Sequence, residues 1–203
     1  NKIDIDFESL IEKESNSTVK NMHKYFSSVV PSEKNKYTGL FKDKNLIYIT
    51  AESFYPMAIN KDITPTLYKL YSEGISFKNN YSPRNSCATG NNEFSGMTGL
   101  YTIQNNCTAN MYSNNKYFTS IFNIFKNAGY RATSMHDYTE QYYVRNIIHK
   151  NLGSEAYYNA NDLNIKYYNE YKNWASDEDF MNAAMDVTLN NDNDKPFMLW
   201  LTT

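Results

Sequence analysis

Glu52, Thr89 and His136 are a carboxylate, a hydroxyl and an imidazole, and each falls where a predicted strand gives way to a loop. Glu52 follows the apolar run NLIYIT (45–50), and His136 closes YRATSMH (130–136). Thr89 lies in RNSCATGNNEF (84–94), after ISFKNNYS and ahead of a predicted helix. Glu52 reads either as a solvated loop carboxylate or as a hard-oxygen ligand for a divalent metal. Thr89 reads either as an N-cap accepting from an N–H near Asn91 or Asn92, or as a nucleophile. The second reading uses the same place in the chain, because unpaired N–H groups and the positive end of the helix dipole favour an alkoxide and a bound phosphate or sulfate. His136 is either a satisfied interior histidine or a group that hydrogen-bonds or protonates a leaving oxygen. Arg145 is either a solvated helix charge or a bidentate clamp on phosphate.

The elements that would position these groups alternate along the chain. NLIYIT has the profile of a buried parallel strand. A helix opens at Pro65 and stops at Gly74, and ISFKNNYS reads as a second strand. YFTSIFNIFKNAGY is an amphipathic helix closed by Gly129, and YRATSMH is the next strand. TEQYYVRNIIHKNLG predicts another helix, and DEDFMNAAMDVTL carries three acids on its first turn. FMLWLTT is a last strand. This order specifies an α/β fold, a largely parallel sheet with helices on both faces. Ligands in such sheets sit beyond the carboxyl ends of the strands, so residues at those ends converge on one site. The first forty residues differ, with apolar residues at helical spacing ended by Pro31, and they read as a helical arm or linker (1–40) before a body at 41–203.

Twenty Lys and Arg against 22 Asp and Glu give a net charge of -2, which argues against general nucleic-acid binding. No apolar run reaches the roughly 20 residues that cross a bilayer, and no signal peptide is visible. The start at NKIDIDF reads as a piece cut from something longer. Cys87 and Cys107 fit no common zinc spacing, and their pairing and their persistence as buried thiols both stay open.

Taken in order, NLIYITAESF, ITPTLYKLYSEGISFKNNY, ATGNNEFSGMTGLY, FKNAGYRATSMHDYTEQYYVRNIIHKNLG, SDEDF and KPFMLWLTT resemble the extracellular catalytic domain of lipoteichoic acid synthases and related phosphoglycerol transferases. These belong to the sulfatase and alkaline-phosphatase superfamily. The resemblance covers roughly residues 35–203. It implies that Glu52 is a metal ligand and that Thr89 is both metal ligand and nucleophile. His136, Tyr143 and Arg145 match positions that line the substrate phosphate and glycerol. Tyr143 stands where the family has Trp, and Asn91-Asn92 replaces a more acidic run. Cys87 is not followed by the x-Pro-x-Arg pattern a sulfatase nucleophile needs.

The implied cofactor is a divalent metal, Mn²⁺ first, with Mg²⁺ or Zn²⁺ as alternatives. The implied partners are phosphatidylglycerol, a glycerolphosphate polymer and the remaining C-terminal half of the domain. The implied place is the outer face of the bacterial membrane, held by transmembrane helices outside these residues. In the family a further His, and later an Asp-His pair, follow the LWLTT-like strand. These 203 residues are therefore expected to be the N-terminal part of the domain, inactive by themselves and weak in metal binding. Two other readings remain: a non-catalytic module for wall polymer or lipid head groups, and a sulfatase or phosphoethanolamine-transferase relative.

Overall fold

The computed structural model describes residues 5–82, 86–166, 174–190 and 194–203. Arg84 and Asn85, which open the Thr89 stretch, lie outside them. The chain divides into two compact units, Asn1–Lys42 and Asp43–Thr203. In the first, α1 (Phe7–Lys13) is capped by the Asp6 carboxylate and α2 (Ser17–Ser28) by the Asn16 side chain, which accepts from the Thr18 and Val19 amides. Neither helix buries a residue.

The second unit is built on four parallel strands in the order β1-β4-β2-β3: β1 Leu46–Thr50, β2 Arg131–His136, β3 Tyr157–Tyr158 and β4 Phe197–Thr202. All six residues of β4 are buried, as a central parallel strand requires. Its side chains alternate between two cores. Met198 and Trp200 join Phe94, Met97, Phe122, Ala132 and Ile148 on one face. Phe197, Leu199 and Leu201 join Met135, Phe180 and Ala184 on the other. The first face is covered by α4 (Ala88–Thr98), α5 (Thr108–Met111), α6 (Ile121–Asn127) and α7 (Arg145–Asn151), and the second by α8 (Asp177–Leu189). Helices thus flank the sheet on both sides.

Several local expectations hold in detail. The helix opened by Pro65 is α3 (Pro65–Glu73), stopped at Gly74. The first turn of α8 carries Asp177, Glu178 and Asp179 as expected, and the structure adds caps from Ser120 on α6 and Ser176 on α8. The stops at Gly129 and Gly153 take φ of +90° and +96°, a region open to glycine.

Three expectations are corrected. ISFKNNYS is not a strand: Ile75 and Phe77 are 70% and 80% exposed, and a turn forms at Lys78–Asn79. Its alternating residues have no neighbouring strand among the described residues, and β propensity is realised only against one. NLIYIT is a parallel strand but not a buried one, since Ile47 and Ile49 are 42% and 49% exposed and, among the described residues, β1 pairs only with β4. The helix read from TEQYYVRNIIHKNLG begins late. Tyr143 and Val144 have φ of +56° and +49°, so a 3-10 turn at Tyr142–Val144 precedes α7, which starts at Arg145. Helical periodicity in the sequence does not register a backbone reversal of this kind.

Candidate active site

The carboxyl ends of β1, β2 and β4 lie level, with Thr50 and His136 both registered against Thr202. The loops beyond them are tied together, since the Thr203 amide donates to Thr50 O at 3.1 Å and the Glu52 amide to Thr203 Oγ1 at 3.3 Å. This stitching brings Glu52 beside the start of α4, where the Thr89 hydroxyl donates to its Oε2. Thr89 is not the N-cap. Cys87 holds that position in the left-handed conformation at φ 65°, with no side-chain cap bond, and Thr89 is in the first turn. The capping reading of Thr89 fails because its hydroxyl is turned to Glu52 instead of to its own backbone.

The start of α4 is held from two sides. Cys87 forms a disulfide with Cys107, the N-cap of α5, across a Cα–Cα distance of 5.0 Å. Asn91 is buried beneath it; its amide nitrogen donates to Ser86 O and to Asn106 O, and its amide oxygen accepts from the Ala109 amide. That task needs donor and acceptor on one side chain, which a carboxylate does not supply. It gives a structural reason for Asn at this position.

One helical turn after Thr89, Glu93 meets Arg145. Arg145 Nε lies 3.0 Å and Nη2 2.9 Å from Glu93 Oε2, and the two residues are 1% and 3% exposed. Thr202 Oγ1 donates to the other Glu93 oxygen, and Arg145 Nη1 donates to Tyr142 O at 3.3 Å. Because Glu93 neutralises the pair, Arg145 offers a ligand directed hydrogen bonds more than net positive charge.

Two cavities meet at this point. One, of about 280 Å³, is lined by Glu52, Ser53, His136, Tyr142, Arg145, Trp174, Thr202 and Thr203. The other, of about 530 Å³, is lined by Glu52 and Thr89 together with residues of β1, α4 and the 80–82 loop. Glu52 stands in both walls. Four of the five candidate residues are thus brought together: Glu52 with Thr89 in one cavity, and Glu52 with His136 and Arg145 in the other. Tyr143 lines neither. It packs against α4, where a Cβ on Gly90 would stand 2.9 Å from its ring, and its own ring centroid is 5.2 Å from the Arg145 guanidinium carbon. Burial and the neighbouring Tyr142 push the Tyr143 phenol pKa up, with the Glu52 charge as a smaller contribution. The aromatic wall of the smaller cavity is Tyr142 and Trp174.

Reading along the sequence missed Glu93, Asp137, Thr202 and Trp174. The first three had a signal. Glu93 is one turn from Thr89 on the same helix face, and Asp137 and Thr202 are strand-end residues like His136. Trp174 had none. Glu52 and Thr89 fit a divalent metal in kind, as two oxygens already in contact, but no group of three His, Cys, Asp or Glu suited to a metal occurs among the described residues.

The sulfatase family model matches residues 44–203. Lipoteichoic acid synthase 2 of Bacillus subtilis is 28% identical over 165 residues, covering 75% of this chain and 25% of that protein. Lipoteichoic acid synthase of Staphylococcus aureus is 28% identical over 133 residues, covering 62% and 21%. The crystal structure of the lipoteichoic acid synthase LtaP from Listeria monocytogenes superposes with a TM-score of 0.74 at 21% identity, over 91% of this chain and 46% of that one. An alkaline phosphatase superfamily protein from Vibrio parahaemolyticus gives 0.62 at 20% identity, over 80% and 40%. The chain therefore spans about a quarter of the length of the curated relatives it matches.

Proposed function

Because the sulfatase model spans residues 44–203, the chain belongs to the sulfatase family, and from that premise we propose that it is part of a metal-dependent phosphoglycerol transferase. The observation that carries this reading is the Thr89 hydroxyl on the Glu52 carboxylate at the first turn of α4. Thr89, where a sulfatase would carry Cys or Ser, favours phosphoryl over sulfuryl transfer.

The reaction is a double displacement. Thr89 Oγ1, its proton released to solvent, attacks the phosphorus of phosphatidylglycerol. The bond from phosphorus to diacylglycerol breaks, and the departing oxygen takes a proton from His136. The glycerophosphoryl group now rests on Thr89. An acceptor hydroxyl at the end of a glycerolphosphate chain then attacks, passing its proton to His136. The Thr89–phosphorus bond breaks and Thr89 recovers a proton from solvent. Arg145 hydrogen-bonds the phosphoryl oxygens, and the first amides of α4 face the charge that develops there. Glu52 and Thr89 would hold a divalent metal, Mn²⁺ foremost, which when bound lowers the hydroxyl pKa and offsets phosphoryl charge.

Two oxygens are fewer than such an ion requires. The further ligands belong, in this reading, to the remainder of a longer parent protein, so the 203 residues alone bind metal weakly and do not turn over. The exposure of Ile47 and Ile49 supports this, since a parallel strand is normally covered on both faces. No helix of the described residues is long and apolar enough to cross a membrane. The proposed setting is the outer face of the membrane, with the anchor in that same remainder.

The test is Thr89→Ala in the full-length protein, with diacylglycerol release from phosphatidylglycerol vesicles as readout. Turnover should fall at least about a thousandfold, the scale of losing a covalent nucleophile. Wild-type protein quenched during turnover should carry a glycerophosphoryl group on the Thr89 peptide. Undiminished release by the variant would sink the reading.

A further inference from the structure

Asp137, the residue after β2, is fully buried, and among the described residues neither of its carboxylate oxygens accepts a well-formed hydrogen bond. A buried carboxylate is tolerated when a donor faces it. The group within reach is the His136 ring, whose Nδ1 lies 3.1 Å from Asp137 Oδ1. The same Nδ1 lies 3.0 Å from the carbonyl oxygen of Thr202. An ionised carboxylate and a peptide carbonyl can only accept, so two acceptors converge on this one ring nitrogen. A bare Nδ1 would place three lone-pair atoms against one another with no proton among them. The proton therefore belongs on Nδ1, and the tautomer is fixed by what surrounds it.

This leaves Nε2. It is buried and has no protein partner among the described residues, on a side chain that lines the smaller cavity with Glu52 and Arg145. Aromatic rings limit the tilt of the imidazole. Tyr142 stacks on it at 6.2 Å and 20°, and Trp174 meets it edge-on at 6.2 Å and 80°. The negative charge of Asp137 is also felt by Asp177 at the start of α8, whose carboxyl is pushed up first by burial and then by that charge.

We infer that Asp137 is the positioning residue of His136: together with the Thr202 carbonyl it holds the Nδ1 proton and dedicates Nε2 to an oxygen of the bound phosphoester or acceptor alcohol. The tautomer stands by itself, and its catalytic meaning rests on the transferase reading above. In that reading the ring enters the first step doubly protonated: Nε2 hands its proton to the departing diacylglycerol oxygen and regains one from the acceptor hydroxyl, while the Nδ1 proton stays between Asp137 and the Thr202 carbonyl throughout.

The tautomer is read by ¹⁵N NMR of the chain labelled at its three histidines, with His23→Gln and His149→Gln used for assignment. Wild-type His136 should show a protonated Nδ1. Asp137→Asn places an amide NH₂ against Nδ1 and should shift the ring toward the Nε2-protonated form. In the full-length enzyme the same variant should lower kcat on the order of a hundredfold, the size of a general acid–base contribution, with KM for phosphatidylglycerol little changed. A wild-type ring protonated on Nε2 alone overturns the proposal, and so does an Asp137→Asn enzyme with unaltered kcat. The wild-type spectrum decides the tautomer even if the variant does not fold. If Thr89→Ala remains active, the transferase reading falls and the tautomer result still stands. If Thr89→Ala is dead while Asp137→Asn is fully active, the transferase reading survives and this inference does not.

Discussion

Complete burial of His149, followed in importance by the nearby positive charge of Arg145 and by His136, pushes its imidazole pKa well below the usual histidine value. Its Nδ1 has no partner in the described residues, and its ring rests edge-on against Tyr157 at 5.1 Å. The neutral form is therefore the folded form. The unfolded chain takes up a proton near pH 6.5 and the folded chain does not, so the stability from this group is full above about pH 6.5 and is lost as pH falls toward the depressed folded pKa. The expected slope between pH 6.5 and 5 approaches about 1.4 kcal/mol per pH unit. Urea unfolding across that range should show it, and His149→Gln should flatten it; an equal slope in both proteins would refute the assignment. Asp177 acts in the opposite sense at lower pH. Its raised carboxyl stabilises the fold most when protonated, and that contribution fades as pH rises through its folded pKa.

At the scale of elements, α4 is where sequence and structure agree on the outcome and differ on the means. The strand-end rule identified the Thr89 region as a place of convergence, but the segment before it is not a strand. What sets Thr89 is the disulfide between two helix N-caps, together with the Asn91 amide bridge. The cysteine spacing left pairing open because a sequence separation of 20 carries no information on which helix ends meet. By contrast, β2, β4, α3, α6 and α8 were legible from apolar runs, amphipathic spacing, first-turn acids and glycine stops. The break before α7 was not, since a left-handed Tyr143-Val144 pair leaves no periodic trace. Closing a loop of this length by a disulfide stabilises a fold by about 3 kcal/mol through the unfolded state. Cys87→Ser with Cys107→Ser should lower stability by about that amount in denaturant unfolding. If Thr89 is the nucleophile proposed, a fall in turnover beyond what this stability change explains would show that the staple also positions its hydroxyl.

In the unit Asp43–Thr203, the parallel sheet places the candidate site residues at one end and the apolar mass between two helical layers. That much follows from the alternation of strand and helix patterns, which is why the fold class was readable before any coordinates. The two tryptophans divide along the same line. Trp200 is fully buried at the centre of β4, stacked on Tyr48 at 3.9 Å, whereas Trp174 is half-buried in the cavity wall, 4.2 Å from the Tyr138 ring. The chain thus contains two optical probes with different views. Emission from Trp200 should be blue-shifted and should redden only on global unfolding. In a Trp200→Phe protein the fluorescence comes from Trp174 and should respond to glycerophosphate while the fold stays intact. A Trp200→Phe protein that remains folded and whose emission ignores saturating glycerophosphate would place the ligand elsewhere. Binding and unfolding, usually entangled in one signal, are separable here by colour.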